Sequence, residues 1–197
     1  MPVCPYQKLI FIHIPKTAGQ SIYQACGIEQ SLSNLCGSDG AFEYSHFTGI
    51  EIRDKLGLDI FTTHFKFTVV RNPFDRLVVE YFYRRLAKDT RLIDSQKLGF
   101  RAFVSALADL DLYSFSQPER AFFIPQVDFV YDEHGVNMAN QLFRFEALWE
   151  LEEFLGTKLP HANRSEHRPY REYYDSQTRE AAEKIYAADL EAFGYDF

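Results

Sequence analysis

Residues 10–22 read I-F-I-H-I-P-K-T-A-G-Q-S-I. The apolar, β-branched run predicts a buried strand over residues 8–14. It stops at Pro15, and residues 21–26 open a helix. A strand that turns into a helix aims successive backbone N–H groups at one point, where a phosphate-like anion binds. Gly19 permits close backbone approach. Thr17 and Ser21 bring hydroxyls, and Lys16 brings a mobile charge that reaches an oxygen between two anionic groups. Ser21 also suits a helix cap. The stretch is not the nucleotide loop G-x-x-x-x-G-K-[ST]. Taken alone, it also fits an ordinary strand-to-helix turn with a solvated lysine.

A second block, residues 65–82, reads F-K-F-T-V-V-R-N-P-F-D-R-L-V-V-E-Y-F. Residues 65–70 predict another strand. Pro73 biases Asn72 away from helix and suits the first helical turn. The following helix carries Leu77, Val78, Tyr81, Phe82 and Leu86 on one face, with Arg84, Arg85 and Lys88 near its end. In a parallel sheet strand ends converge on one edge, where ligands bind. Arg71 would there meet the same cleft as Lys16, and its fork suits a phosphate dianion. A structural salt bridge is the other reading of Arg71. Asp75 and Arg76 fit helix-surface charges or an internal ion pair.

Further along, residues 27–42 read as loop, residues 50–56 as a short helix ending at Gly57, and residues 98–108 as helix. Residues 126–131 and 141–145 look like strands. Residues 147–155 look helical, residues 160–170 form a loop, and residues 176–193 form a long helix capped by Ser176. Strands alternating with helices imply one α/β domain over residues 1–197 with a mainly parallel sheet.

The 197 residues carry a net charge of −7, unevenly spread. Residues 1–101 hold 13 Lys and Arg against 10 Asp and Glu, whereas residues 102–197 hold 8 against 18. A small polyanion suits the first half, and the acidic whole argues against a nucleic acid polymer as main partner. No apolar run reaches membrane-spanning length. The first residues carry no secretory pattern. Cys4, Cys26 and Cys36 show no C-x-x-C pair, so neither a disulfide framework nor a zinc site is indicated, and reduced cytoplasmic thiols are expected.

The two blocks together resemble sulfotransferases that use 3′-phosphoadenosine 5′-phosphosulfate (PAPS). The likeness is to the carbohydrate-type branch that includes heparan sulfate 2-O-sulfotransferases and many small bacterial enzymes. FIHIPKTAGQS looks like that family's 5′-phosphosulfate loop, and FKFTVVRNPFDRLVVEYF like its 3′-phosphate block. The likeness continues through FIPQVDFVYDEHG, LFRFEALWELEEFLG, LPHANRS and YYDSQTREAAEKIYAADLEAFGYDF. It implies a P-loop-like three-layer α/β sandwich with a central, mainly parallel sheet. Lys16 would stabilise the leaving group at the bridging oxygen. Thr17, Ala18, Gly19, Gln20 and Ser21 would cradle the 5′-phosphate, and Arg71 would hold the 3′-phosphate. The family usually has Thr or Ser at the position of Gln20, and Ser at that of Val79. The second departure points to another grip on the donor, from Ser165 or Arg168. No metal is implied, and the acceptor would be a hydroxyl, most simply on a carbohydrate. An acceptor strip of Arg84, Arg85, Lys88 and Arg91 would suit a sulfated polymer, although such a strip also fits a solvated helix end.

Sulfuryl transfer to a hydroxyl needs a base, and His serves near neutral pH. The resemblance puts the base on a segment between the two phosphate blocks, before a short helix ending in Leu-Gly. YSHFTGIEIRDKLG, residues 44–57, fits that pattern, so His46 is the expected base. His64 is the alternative, and Glu43 fits an orienting or basic role. His13 is expected in a core or sheet role, His134 in a turn, and His161 and His167 beside the late loop. A P-loop-like kinase and a non-catalytic nucleotide-binding module are the rival readings.

Overall fold

The computed structural model describes residues 3–4, 7–27, 46–116, 119–160 and 167–197. In chain order the first elements are β1 (Val3–Cys4), β2 (Leu9–Ile12), α1 (Gly19–Ala25), α2 (Gly49–Leu56), α3 (Leu58–Thr63) and β3 (Phe65–Val70). Then come α4 (Pro73–Ala87), α5 (Phe100–Ala108), α6 (Val127–Val130), β4 (Gln141–Arg144), α7 (Leu148–Leu155), α8 (Ser176–Ile185) and α9 (Ala187–Phe193). The chain divides into two compact units. One comprises Met1–Val70 with Gln126–Asn163, the other Arg71–Pro125 with Arg164–Phe197.

The first unit holds the whole sheet, in the order β1-β2-β3-β4. β2, β3 and β4 run parallel, and the edge strand β1 is antiparallel to β2. This is the α/β, P-loop-like class, with a mostly parallel sheet and flanking helices. Ile10, Phe11 and Ile12 are all fully buried. Burial of consecutive strand residues, not alternate ones, marks a parallel sheet covered on both faces. Phe11 stacks on Phe67 with centroids 5.1 Å apart, and Ile22, Tyr23, Val69, Phe143 and Leu151 join the same core. Each such side chain contributes about 1.5–3 kcal/mol through burial.

The start of α2 is fixed by a capping box. Thr48 Oγ1 accepts from Glu51 N at 3.2 Å, and Glu51 Oε2 accepts from Thr48 N at 2.7 Å. Phe47 and Ile52, the two positions of a hydrophobic staple, are both buried. Together these set the direction in which the chain leaves His46.

Residues 126–131, expected as a strand, form the helical turn α6 instead. A short apolar run is ambiguous by periodicity alone. Here Gln126, just after Pro125, is already in the helical region and accepts from Phe129 N at 3.1 Å, and Tyr131 N donates back to Val127 O at 2.9 Å. α6 supports α2. A Cβ on Gly49 would meet Met138 Cε at 2.5 Å and the Phe129 carbonyl oxygen at 3.1 Å. His134 lies, as expected, in the turn that follows. Its N–H and that of Val136 donate to Asp132 Oδ1 at 2.9 and 2.8 Å.

The second unit is helical with an aromatic interior. Asn72 caps α4 by accepting from Phe74 N at 3.0 Å, and Pro73 occupies the first turn. Tyr81, Phe100 and Phe103 pack together, and Tyr174 donates to the Phe74 carbonyl at 2.9 Å. Three expectations need correction here. Leu86 is 86% exposed, because nine residues from Leu77 is half a turn away from the buried stripe. Arg84 occupies that stripe instead, buried against Glu80 at 2.6 Å. Ser176 is not the cap of α8; Asp175 is, through a capping box with Thr178. The helix expected over residues 176–193 breaks at Tyr186 into α8 and α9. Neither Pro nor Gly marks that break in the sequence. Among the described residues no helix is long and apolar enough to cross a membrane.

Candidate active site

The loop after β2 has an unusual backbone. Lys16 and Ala18 both have φ of 69°, while Thr17 between them and Gly19 after them stay on the negative side. Alternating signs turn successive N–H groups toward one side and make an anion-binding nest. Positive φ at a non-glycine residue is uncommon. Two in three residues define a loop built for its backbone amides. The first turn of α1 adds N–H groups with no intrahelical acceptor, since the first such bond is Ile22 N to Ala18 O at 3.1 Å. This arrangement fits a phosphate.

The side chains of the loop divide their work. Thr17 is fully buried and donates its hydroxyl proton to Ile14 O at 2.8 Å, which ties the loop together. Lys16 and Gln20 are half-buried, and Ser21 is buried in the first turn. Ser21 is not the cap, a position held by Ala18 in the left-handed region. Gly19 admits close approach, but the group that approaches is a side chain of the protein itself. A Cβ there would stand 1.8 Å from His13 Nε2.

His13 follows β2 directly and is buried. Its ring stacks on Phe11 at 5.2 Å and meets Tyr23 edge-on at 5.1 Å, with Nδ1 2.9 Å from the Tyr23 hydroxyl. His46 stands beside it, with ring centroids 4.4 Å apart. His46 Nδ1 lies 3.4 Å from the His13 carbonyl oxygen. A carbonyl only accepts, so this contact is met by the Nδ1–H tautomer, the one that carries its lone pair on Nε2. Gly19 of the nest and the ring of His46 thus both lie against one buried ring.

The family model of the sulfotransferase family matches residues 1–196. The chain belongs to the sulfotransferase family. No curated protein and no solved structure matches it significantly.

The other expected residues of this sulfotransferase family member fall as follows. His64 precedes β3, whose Phe65 pairs with Leu9 at the start of β2. The nest and His46 lie past the end of β2, so at about 3.3 Å per residue His64 is roughly 15 Å from them along the sheet. Arg71 follows β3 directly and belongs to the second unit. It is buried there and gives Asp75 Oδ2 two bonds, from Nε at 2.9 Å and from Nη2 at 2.7 Å. Asp75 and Arg76 are therefore not surface charges. Arg76 donates to the carbonyls of Ile124, Ala121 and Phe122.

His167 lies in the same unit, with Nε2 4.0 Å from Asp75 Oδ1 and its ring parallel to Phe82. Arg168 is exposed and pairs with Glu172 at 3.1 Å. Val79 is buried in α4. Glu43, His161 and Ser165 lie outside the described residues. Of the strip of Arg84, Arg85, Lys88 and Arg91, three residues are exposed and form a solvated helix end. Arg84 is buried, Arg85 donates to Ser95 O at 3.0 Å, and Arg91 pairs with Asp89 at 3.0 Å. Among the described residues no group of three or more His, Cys, Asp or Glu is placed to hold a metal ion.

Sequence reasoning missed the ring between the two halves of the first unit's site. His13 stands two residues before Pro15 and was expected only in a core or sheet role. Its contact with Gly19 and Tyr23, six and ten residues on, becomes readable once α1 folds back on β2. Lys66 was also missed. It is buried and donates from Nζ to the carbonyls of Phe61 at 3.0 Å and His64 at 2.9 Å, closing the end of α3. Burial lowers its pKa below the usual lysine value.

Proposed function

We propose that this member of the sulfotransferase family transfers a sulfuryl group from PAPS to an acceptor hydroxyl, most simply on a carbohydrate. The observation that carries the reading is the Lys16–Gly19 nest beside the His13–His46 pair. When bound, the donor supplies a sulfuryl group already activated on a phosphate. The nest amides hold the 5′-phosphate. His46 takes the acceptor's proton on Nε2 as the acceptor oxygen attacks sulfur. Lys16 offsets the negative charge that collects on the bridging oxygen as its bond to sulfur breaks. Preorganised donors of this kind act most strongly where charge develops. Arg71 pairs with the 3′-phosphate through its fork, in exchange for part of its bond to Asp75.

The likeness to the carbohydrate-type branch supports a sugar hydroxyl. The acidic second half of the chain, with 8 Lys and Arg against 18 Asp and Glu, favours a small or uncharged acceptor over a sulfated polymer. The test has two arms. Calorimetry should show that 3′-phosphoadenosine 5′-phosphate (PAP) binds and that ATP–Mg²⁺ does not. Labelled sulfate should pass from PAPS to members of a panel of sugars, phenols and lipids. Tight PAP binding without transfer to any acceptor would make the protein a binding module, and preference for ATP would make it a kinase.

A further inference from the structure

Asp75 sets a carboxylate beside the cation that is read as holding the donor's 3′-phosphate. Arg71 Nε and Nη2 reach its Oδ2 at 2.9 and 2.7 Å. His167 comes to its other oxygen, with Nε2 4.0 Å from Oδ1, an ion-pair distance. The side chains of Arg71, Asp75 and His167 are 9%, 19% and 11% exposed, so little water screens these charges. A dianion that takes the Arg71 fork from Asp75 leaves that carboxylate close by, and like charges repel. Val79, one turn further along α4, brings no polar group to offset this. We propose that His167 is a positioning residue for the 3′-phosphate: its imidazolium neutralises Asp75 while Arg71 turns its fork to the phosphate. This rests on the reading of Arg71 as the 3′-phosphate residue.

The surroundings of the ring suit that charge. His167 Nδ1 lies 2.8 Å from the Arg168 carbonyl oxygen, which only accepts, so that contact is met with a proton on Nδ1. Nε2 faces a carboxylate oxygen, which when ionised also only accepts. The imidazolium meets both contacts, whereas a neutral ring with its proton on Nδ1 turns a lone pair toward Asp75. From α4 the ring also faces Phe82, with planes 8° apart and centroids at 6.2 Å. The Arg168 guanidinium pairs with Glu172 at 3.1 Å and lies over the Tyr173 ring. Asp75 is thus the charged group paired with His167, and Arg71 holds the same carboxylate from its far oxygen.

Calorimetry on the full chain, with PAP and with adenosine 5′-phosphate, tests this. At about pH 6, His167→Gln should weaken PAP binding about tenfold and leave adenosine 5′-phosphate unchanged, since the latter has no 3′-phosphate. The ratio of variant to native Kd should shrink as pH rises, because a histidine loses its charge in that direction. In an Asp75→Asn background there is no carboxylate to neutralise, so there His167→Gln should change PAP Kd by less than about twofold. His167→Phe keeps a flat ring against Phe82 and takes the place of His167→Gln if that variant does not fold.

An unchanged PAP Kd in His167→Gln at about pH 6, or an equal loss for both nucleotides, would overturn the proposal. So would a Kd ratio that stays constant with pH. A loss that persists in the Asp75→Asn background would overturn it too, by placing the ring on the ligand itself. These outcomes leave the reading of Arg71 intact. Native protein that binds PAP no more tightly than adenosine 5′-phosphate would sink that reading, and the proposal with it.

Discussion

Gly19 lies so close to His13 that a Cβ placed on it would stand 1.8 Å from the imidazole Nε2. The ring has nowhere to retreat, since Phe11, Tyr23 and His46 surround it. Helix propensity alone would make Gly19→Ala favourable by up to about 1 kcal/mol. Overpacking a closed site costs about 1–3 kcal/mol, and here it must also displace the nest. We expect Gly19→Ala to lower Tm by about 2–8 °C and to weaken PAP binding together with it. Thermal unfolding with and without PAP measures both. A Tm at or above that of the native protein would show that the ring gives way freely.

Lys16 and His46 should separate in kinetics. A lysine acting on charge that develops during transfer lowers kcat when removed and changes donor affinity little. Lys16→Ala should therefore reduce turnover by at least about 100-fold, the scale set by loss of one preorganised donor. PAP Kd should change much less. His46→Ala should remove the acid limb of the kcat profile, which His64→Ala should leave in place. Equal losses of turnover and PAP affinity in Lys16→Ala would make the lysine an anchor.

In the second unit, stability depends on a buried charge pair. Arg84 Nε lies 2.6 Å from Glu80 Oε1, its Nη1 donates to Arg91 O at 2.7 Å, and its guanidinium lies 4.6 Å from the Phe123 centroid. Arg84→Met keeps volume but strips Glu80 of its guanidinium, at a cost of about 3–5 kcal/mol. Replacing both partners, Glu80→Leu with Arg84→Met, should cost less than the single change. Urea denaturation of the three proteins gives the comparison. A double variant less stable than Arg84→Met would mean that the pair is net stabilising over an apolar equivalent.

The strand ends and the loop between β2 and α1 were legible because Pro15, Gly19 and the Asn72-Pro73 step punctuate them. Such signals act locally and need no tertiary context. The helix expected over residues 50–56 starts one residue earlier, at Gly49, where T-G-I-E forms a capping box. What was not legible depends on contacts far apart in sequence. Residues 126–131 have a strand-like composition, and only Pro125 and the packing of Phe129 and Met138 around Gly49 make them helical. Arg84 reads as a solvated helix end until Glu80 and the Phe123 ring enclose it. His13 reads as a sheet residue until α1 brings Tyr23 and Gly19 against its ring. The nest itself depends on two positive φ angles, at Lys16 and Ala18, that no residue type there announces.

Asp175 gives a pH test of the second unit. Its carboxylate accepts from Thr178 N and Thr178 Oγ1 at 2.8 and 2.7 Å and pairs with Arg101 at 3.1 Å. The Thr178 backbone bond first, and its hydroxyl second, hold the Asp175 pKa below its ordinary value. A pKa depressed on folding contributes stability that is complete above the unfolded value of about 3.9 and is lost as pH falls through the lower folded value. The Tm difference between native protein and Asp175→Ala should therefore stay constant near neutrality and shrink below about pH 4. A difference that persists unchanged into acid would show that the carboxylate charge is irrelevant to the cap.

Arg71 decides how the donor's second phosphate is held. Its Nε and Nη2 reach one oxygen of Asp75, at 2.9 and 2.7 Å, so a carboxylate orients the guanidinium before any ligand arrives. A hydrogen bond to a charged group is worth about 1.5–3 kcal/mol, or roughly tenfold to 150-fold in Kd. Arg71→Met should weaken PAP binding by about that factor and leave adenosine 5′-phosphate binding unchanged, since the latter lacks the 3′-phosphate. Arg71→Lys should fall between, because it keeps the charge and loses the fork. Calorimetry with the two nucleotides separates the cases. Equal weakening of both would make Arg71 a structural partner of Asp75, and no weakening of either would move the 3′-phosphate to other residues, of which Ser165 and Arg168 are the first to change.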